Sequence, residues 1–326
     1  MYKVVLCKTK NDWVDSFNEL SISLNYFMDW DYNELLKSID YIPLSLLIYC
    51  GAKLVGIYQA VVQNHKKFIV NLLNVRCGGR EEGEGLFFSS SVTGNDKKEV
   101  LDQIIKKAKS ELRSKYGIIS IFHFSFYTCS ANNLYSGFRQ SFVTSPVIDM
   151  SLSVDSLWAG LNKKHRNEIR QAQKRNVEIR FSNSKQALSD YFILAKPYWK
   201  KLNRLYWLSN KERFFRYHMD SFNKGLASLF IAYVKEKPAA FALIWHNHGK
   251  MIYGDGGVDD NFRWNRPTNL LLWEVIKWGK NKGYNIFDMA GGTDDPNHPR
   301  YSISQFKMRF GAKLRRSLKY YKVYLL

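Results

Sequence analysis

The residues best equipped for chemistry start with a dense cationic run, Lys163-Lys164-His165-Arg166-Asn167-Glu168-Ile169-Arg170-Gln171-Ala172-Gln173-Lys174-Arg175. Six lysines and arginines stand there against one acid, Glu168. At helical spacing Leu157, Leu161, Ile169 and Ala172 share an apolar face, while Arg166, Arg170 and Lys174 line another at i, i+4 steps. A helix of this kind can hold an anion against a folded body, although a solvated charged face has the same pattern. A second basic segment, Lys196–Arg216, has seven basic residues and one acid, Glu212, interleaved with Tyr198, Trp199, Tyr206, Trp207, Phe214 and Phe215. Arg166, Arg170, Arg204, Arg213 and Arg216 are therefore candidates for phosphate contacts.

Two aspartates are candidate general bases. Asp255 lies in Tyr253-Gly254-Asp255-Gly256-Gly257, and Asp288 follows the apolar pair Ile286-Phe287. Either can equally organise a loop, since Asp beside Gly is a turn signal. Gly256 and Gly291 permit close backbone approach to a ligand, and Tyr253 and Trp264 are candidates to pack a ring or an acyl group. No Ser- or Cys-centred nucleophile motif is present, which favours direct attack by an acceptor amine over a covalent enzyme intermediate.

The whole chain has the same electrostatic bias. Its 326 residues carry 49 Lys and Arg against 29 Asp and Glu, a formal charge of +20, which implies an anionic partner: nucleic acid, a phosphorylated substrate or an anionic membrane surface. With 45% hydrophobic residues the chain is globular, and its length suggests two domains. Cys7, Cys50, Cys77 and Cys129 are scattered, with no metal-ligand spacing and no disulfide framework, and they point to a reducing cytoplasm. The opening apolar run is too short for a signal peptide, and no apolar segment reaches the length of a bilayer span. A soluble protein that touches the inner leaflet peripherally is expected.

These residues must be positioned by elements that occur twice. Ser45–Cys50, Leu54–Val62 and Phe68–Val75 read as strands, with turns at Gly51-Ala52-Lys53 and Asn64-His65-Lys66-Lys67. Ser228–Val234, Ala239–Trp245 and Met251–Val258 repeat them, with turns at Lys235–Pro238 and Asn247-His248-Gly249-Lys250. A helix and a strand follow each time: 96–115 then 118–126, and 269–282 then 284–289. Two mixed α/β domains result, residues 1–150 joined by a terminal strand at 317–326, and residues 151–316. Ser153 or Asp155 caps the basic helix.

The order strand, strand, strand, helix, strand resembles the acetyltransferase-like (GNAT) fold, here duplicated in tandem. By that resemblance Tyr253–Val258 and Asp288–Gly292 line the mouth where two strands splay apart. Coenzyme A users of this fold cradle pyrophosphate in a glycine-containing loop. The equivalent stretch here, Arg263-Trp264-Asn265-Arg266-Pro267-Thr268-Asn269, has neither glycine, and Pro267 lacks an N–H.

Three segments together are similar to the Fem-type aminoacyltransferases: Lys163–Arg175 followed by Val177-Glu178-Ile179, Ile286-Phe287-Asp288-Met289-Ala290-Gly291-Gly292, and Gln305-Phe306-Lys307-Met308-Arg309-Phe310-Gly311. The resemblance implies an enzyme with no cofactor of its own that transfers an aminoacyl group from aminoacyl-tRNA to an amine of a peptidoglycan precursor. It assigns Lys307, flanked by Phe306 and Phe310, to the oxyanion of the tetrahedral intermediate. The long helical arm of many members has no counterpart, because 181–227 lacks a sustained heptad. An acyl-CoA-dependent N-acyltransferase of sugar, polysaccharide or lipid biosynthesis is the alternative. A non-catalytic RNA- or lipid-binding module is a third reading.

Overall fold

The strands and helices follow from alternating and helical apolar spacing. The computed structural model describes residues 1–67, 70–77, 85–116, 119–128, 137–201 and 206–325. In chain order the first elements are β1 (Tyr2–Leu6), α1 (Lys10–Leu20), α2 (Trp30–Leu36), β2 (Tyr41–Cys50), β3 (Lys53–Lys67), β4 (Val70–Cys77), β5 (Leu86–Phe88), α3 (Gly94–Tyr116), β6 (Ile119–Thr128) and β7 (Arg139–Asp149). After them come α4 (Val154–Gly160), α5 (Lys163–Lys174), β8 (Glu178–Phe181), α6 (Lys185–Lys201), α7 (Tyr206–Ser209), α8 (Lys211–Asn223), β9 (Ala227–Val234), β10 (Lys237–Asn247), β11 (Lys250–Val258), α9 (Pro267–Asn281), β12 (Ile286–Asp288), α10 (Tyr301–Met308) and β13 (Lys313–Leu325). Among the described residues no helix is long and apolar enough to cross a membrane.

The chain divides into two compact units, Met1–Thr144 with Arg316–Leu326, and Ser145–Arg315. In the first, strands run in the order β1-β2-β3-β4-β6-β13, with β5 beside β3. Every pairing is antiparallel except β4 with β6, which the crossover through α3 makes parallel. Leu44, Leu46 and Ile48 of β2 face α3, whose Val100, Leu101, Ile104, Ala108 and Leu112 are buried. Leu47 faces the opposite layer, with Trp13 and Phe17 of α1. That is the period-two alternation of a strand covered on both sides.

The second unit repeats the plan in the order β7-β12-β11-β10-β9-β8. Here β11 and β12 form the parallel pair, joined through α9. Ala240, Ala242 and Ile244 of β10 point towards α5 and α9, and Phe241 and Leu243 towards α6 and α8. Mixed α/β architecture in tandem GNAT-like copies is thus what the chain adopts: β2-β3-β4-α3-β6 and β9-β10-β11-α9-β12.

Two sequence expectations need revising. Asn64–Lys67 is not a turn, because β3 runs on to Lys67 and pairs Asn64 with Leu73 and Lys67 with Val70. In the second copy Asn247 does pair with Lys250, and the reversal uses His248 (φ 45°) and Gly249 (φ 76°) in the left-handed region. The first copy has lysine where Gly249 stands, so it lacks that residue's freedom. The basic helix also starts later than a single apolar stripe suggests. Leu161 and Asn162 break it into α4 and α5, with Ser153 capping the first and Asn162 the second.

Candidate functional site

The site in the second unit is built where β11 parts from β12. The two strands pair over only three positions, Lys250 with Ile286, Met251 with Phe287 and Ile252 with Asp288. Beyond them β11 continues to Val258 while β12 ends. A bulge in β11 falls at the same point, since Tyr253 opposes Ile244 and Asp255 opposes Leu243, leaving Gly254 as the extra residue. Ile244 and Leu243 face opposite layers. The bulge therefore puts Tyr253 on the α5–α9 side and Asp255 on the α6–α8 side, although residues two apart normally share a face.

Lys307, on α10, comes to this opening. Its side chain is buried, 9% exposed, and its Nζ donates to the carbonyls of Ala290 and Gly291, the latter at 3.2 Å. The ammonium also lies 5.8 Å from the centroid of the Tyr253 ring, within cation–π range. Ala290 and Gly291 are both left-handed, φ 52° and 49°. Asp288 shapes that turn: its Oδ1 accepts the Ser145 hydroxyl at 2.5 Å and the Ala290 N–H at 2.7 Å, and the residue is 4% exposed. Tyr253 packs along its own strand onto Gly256, where a Cβ would come within 1.7 Å of the phenolic oxygen. Burial, with Asp255 and Tyr198 adding to it, raises the Tyr253 pKa and keeps the phenol neutral.

Lys307, Tyr253, Gly256, Asp288 and Gly291 are thus brought together. Asp255 is turned away, accepting hydrogen bonds from Tyr191 Oη (2.9 Å), Trp199 Nε1 (3.2 Å) and the Gly256 N–H (3.0 Å). It ties α6 to β11. Arg166 donates to the carbonyls of Ala159 and Leu161, the last turn of α4, at 2.9 and 2.5 Å. Arg170 lies 5.5 Å from the Trp158 ring. Arg213 donates to Tyr206 Oη at 3.0 Å, Arg216 is exposed on α8, and Arg204 lies outside the described residues. Trp264 is on the surface, 70% exposed, with the Arg175 guanidinium 4.3 Å from its ring.

The cationic groove of α5 lies on a different face from the expected stripe. Lys163, Lys164, Asn167, Glu168 and Gln171, with Arg266, line a cavity of about 460 Å³. Arg266 sits at φ 57° directly before Pro267, the first residue of α9. Glu168 is held between Asn269 Nδ2 (3.1 Å) and Arg266 Nη1 (3.8 Å).

His165, on the inner face of α5, was not singled out from sequence. It is 1% exposed, with its ring 5.0 Å from Phe306 and 4.5 Å from Phe310. Burial pushes its pKa down, against the opposing pull of Glu168, whose carboxylate is 3.3 Å from Nδ1. Its only sequence signal was its place on the apolar stripe of the basic helix.

The chain resembles known proteins in this region and in its fold. Residues 161–302 match the family model of an acetyltransferase (GNAT) domain, a match that stops short of Lys307. No curated protein matches the chain in sequence. A crystal structure of FemX, 13% identical, superposes with a TM-score of 0.66 over 99% of this chain and 97% of that one. A tandem GNAT protein from the clavulanic acid biosynthesis pathway, 9% identical, gives 0.60 over 99% and 98%. The C-terminal domain of a putative lysylphosphatidylglycerol synthetase from Agrobacterium fabrum, 11% identical, gives 0.52 over 96% and 92%. By the acetyltransferase (GNAT) domain match at residues 161–302 the chain is a transferase, and over its whole length its fold is similar to those of FemX and the tandem GNAT protein.

Proposed function

We propose that this transferase moves an aminoacyl group from aminoacyl-tRNA to an amine of a phosphorylated cell-wall (peptidoglycan) precursor in the cytoplasm, with peripheral contact to the inner leaflet. The acceptor amine attacks the ester carbonyl carbon, and the carbonyl oxygen becomes an oxyanion. Collapse breaks the ester C–O bond, and the amine's proton passes to the released ribose oxygen. The observation that carries this reading is the Lys307 ammonium, buried at the opening of β11 from β12 and aimed by two carbonyls. A fixed cation in a water-poor site stabilises an oxyanion far better than one in bulk water.

The choice of donor is supported by the start of α9. Arg266 and Pro267 stand where a pyrophosphate cradle would need backbone N–H groups, and side-chain cations line the neighbouring groove instead. A polyanion held by lysine and arginine suits that chemistry. The test is transfer of labelled amino acid from a set of charged tRNAs to a panel of muropeptide and amino-sugar acceptors, read by mass spectrometry. Wild-type protein is expected to give product and Lys307→Ala almost none. Product from no charged tRNA would remove the reading.

An acyl-CoA-dependent N-acylation of a sugar, polysaccharide or lipid is the second reading. The acetyltransferase match over residues 161–302 and the splayed strand pair favour it. Saturable binding of an acyl-CoA by calorimetry, with product from the same panel, would select it over the first.

A further inference from the structure

We propose that His165 is a positioning residue for Lys307, holding the end of α10 through the Phe306 carbonyl. The inference rests on the reading of Lys307 as the oxyanion donor. The last carbonyls of any helix lack intrahelical partners and must find others. In α10 the Phe310 N–H turns back to the Lys307 carbonyl at 3.0 Å, so the Phe306 carbonyl needs a donor from elsewhere. His165 Nε2 lies 3.1 Å from it. A carbonyl only accepts, so Nε2 carries the proton, and the ring is fixed in that tautomer or is doubly protonated. A parallel backbone bond runs from the Asn162 N–H to the Arg309 carbonyl at 2.9 Å. Together they fasten both sides of the Lys307 backbone to the start of α5.

The same imidazole packs against both Phe306 and Phe310, the rings on either side of Lys307 in sequence, which also touch each other. Its other nitrogen faces Glu168 without hydrogen-bond alignment, and Glu168 in turn lies against Asn269 and Arg266 of the cationic groove. Glu168 lines that groove, so the imidazole links it to the α10 backbone that carries Lys307. Removing the donor to a stranded buried carbonyl is expected to lower the ratio of held to released helix about tenfold.

The experiment uses four variants of the full chain, one of them double, and two readouts. Trace acetylation with acetic anhydride, followed by peptide mass spectrometry, compares Lys307 with exposed Lys200. His165→Phe keeps a ring but no donor, and is expected to raise relative Lys307 labelling about tenfold. His165→Gln keeps a donor and is expected to stay within about twofold of wild type. In turnover with whichever donor transfers, His165→Phe is expected to lower kcat by up to about twofold at nearly constant KM, and to cost nothing further when combined with Lys307→Ala.

Unchanged labelling in His165→Phe, or a full-sized additional loss in the Lys307→Ala background, would overturn the proposal. Should His165→Phe fail to fold, the imidazole ¹⁵N spectrum of wild type decides instead: a proton on Nδ1 alone contradicts the assignment. If wild type transfers from no donor, the proposed function fails, while labelling and tautomer still judge His165.

Discussion

The ring of Tyr253 lies over Gly256 of its own strand, so close that a methyl group at position 256 would stand 1.7 Å from the phenolic oxygen. The strand must therefore keep glycine there for the tyrosine to lie flat beneath Lys307. Gly256→Ala is expected to swing the ring out, with a loss of activity of about tenfold or more and little change in melting temperature. Tyr253→Phe is expected to fold normally and retain most activity, because the ring face and not the hydroxyl meets the ammonium. Kinetics of both variants beside wild type check this.

Lys307→Ala is expected to lower kcat by about 10²–10³ with a much smaller change in KM, the pattern for a group that acts on the transition state. It also strands the carbonyls of Ala290 and Gly291, so stability should fall by about 1–3 kcal/mol in urea titration. A raised KM with kcat unchanged would identify Lys307 as a binding residue instead.

Asp288 accepts two hydrogen bonds at one oxygen and holds the turn whose carbonyls aim Lys307. Asp288→Asn can still accept through its amide oxygen, so it is expected to keep the shape of the pH–rate profile and lose only a modest part of kcat. Asp288→Ala should be much worse. Loss of the acidic limb in Asp288→Asn would make the carboxylate a general base.

Two buried histidines should give the fold an acid sensitivity. Burial depresses His218 and His246 to about 4, below the ordinary 6.5. The unfolded chain therefore binds more protons between those values. Their contribution is full above pH 6.5 and falls as the pH drops towards 4, by up to about 1.4 kcal/mol per pH unit for each ring. Calorimetric melts at pH 7, 5.5 and 4.5 should show the decline. His218→Phe, which keeps the packing against Tyr191 and Phe214, should make it shallower.

Much of the fold was legible because its cues are local. Apolar runs bounded by turn signals marked β9, β10 and β11, and Ile104, Ala108 and Leu112 marked the buried face of α3. The orientation of the basic helix was not legible. Arg166 and Arg170 form a regular stripe, yet the break at Leu161 and Asn162 leaves carbonyls at the end of α4 that capture Arg166. No periodicity reports a neighbouring helix end. The surroundings of Lys307 were hidden for a similar reason: Tyr253, Ala290 and Gly291 reach it from separate segments. The role proposed for Lys307 comes from the family resemblance and not from any local pattern. His165 gives little signal, because a histidine on an apolar stripe looks like filler until the carbonyl it meets is known.

The extra residue at Gly254 restricts how this strand can vary over time. Tyr253 belongs to the aliphatic layer under α9, and Asp255 to the aromatic layer under α6. Straightening the bulge with all its residues kept would put both side chains on one face and drive a carboxylate into hydrocarbon. Loss of the extra residue itself would leave the two on opposite faces. The hairpin at Asn247–Lys250, a few residues upstream, has no such constraint and is the natural place for this strand pair to change length.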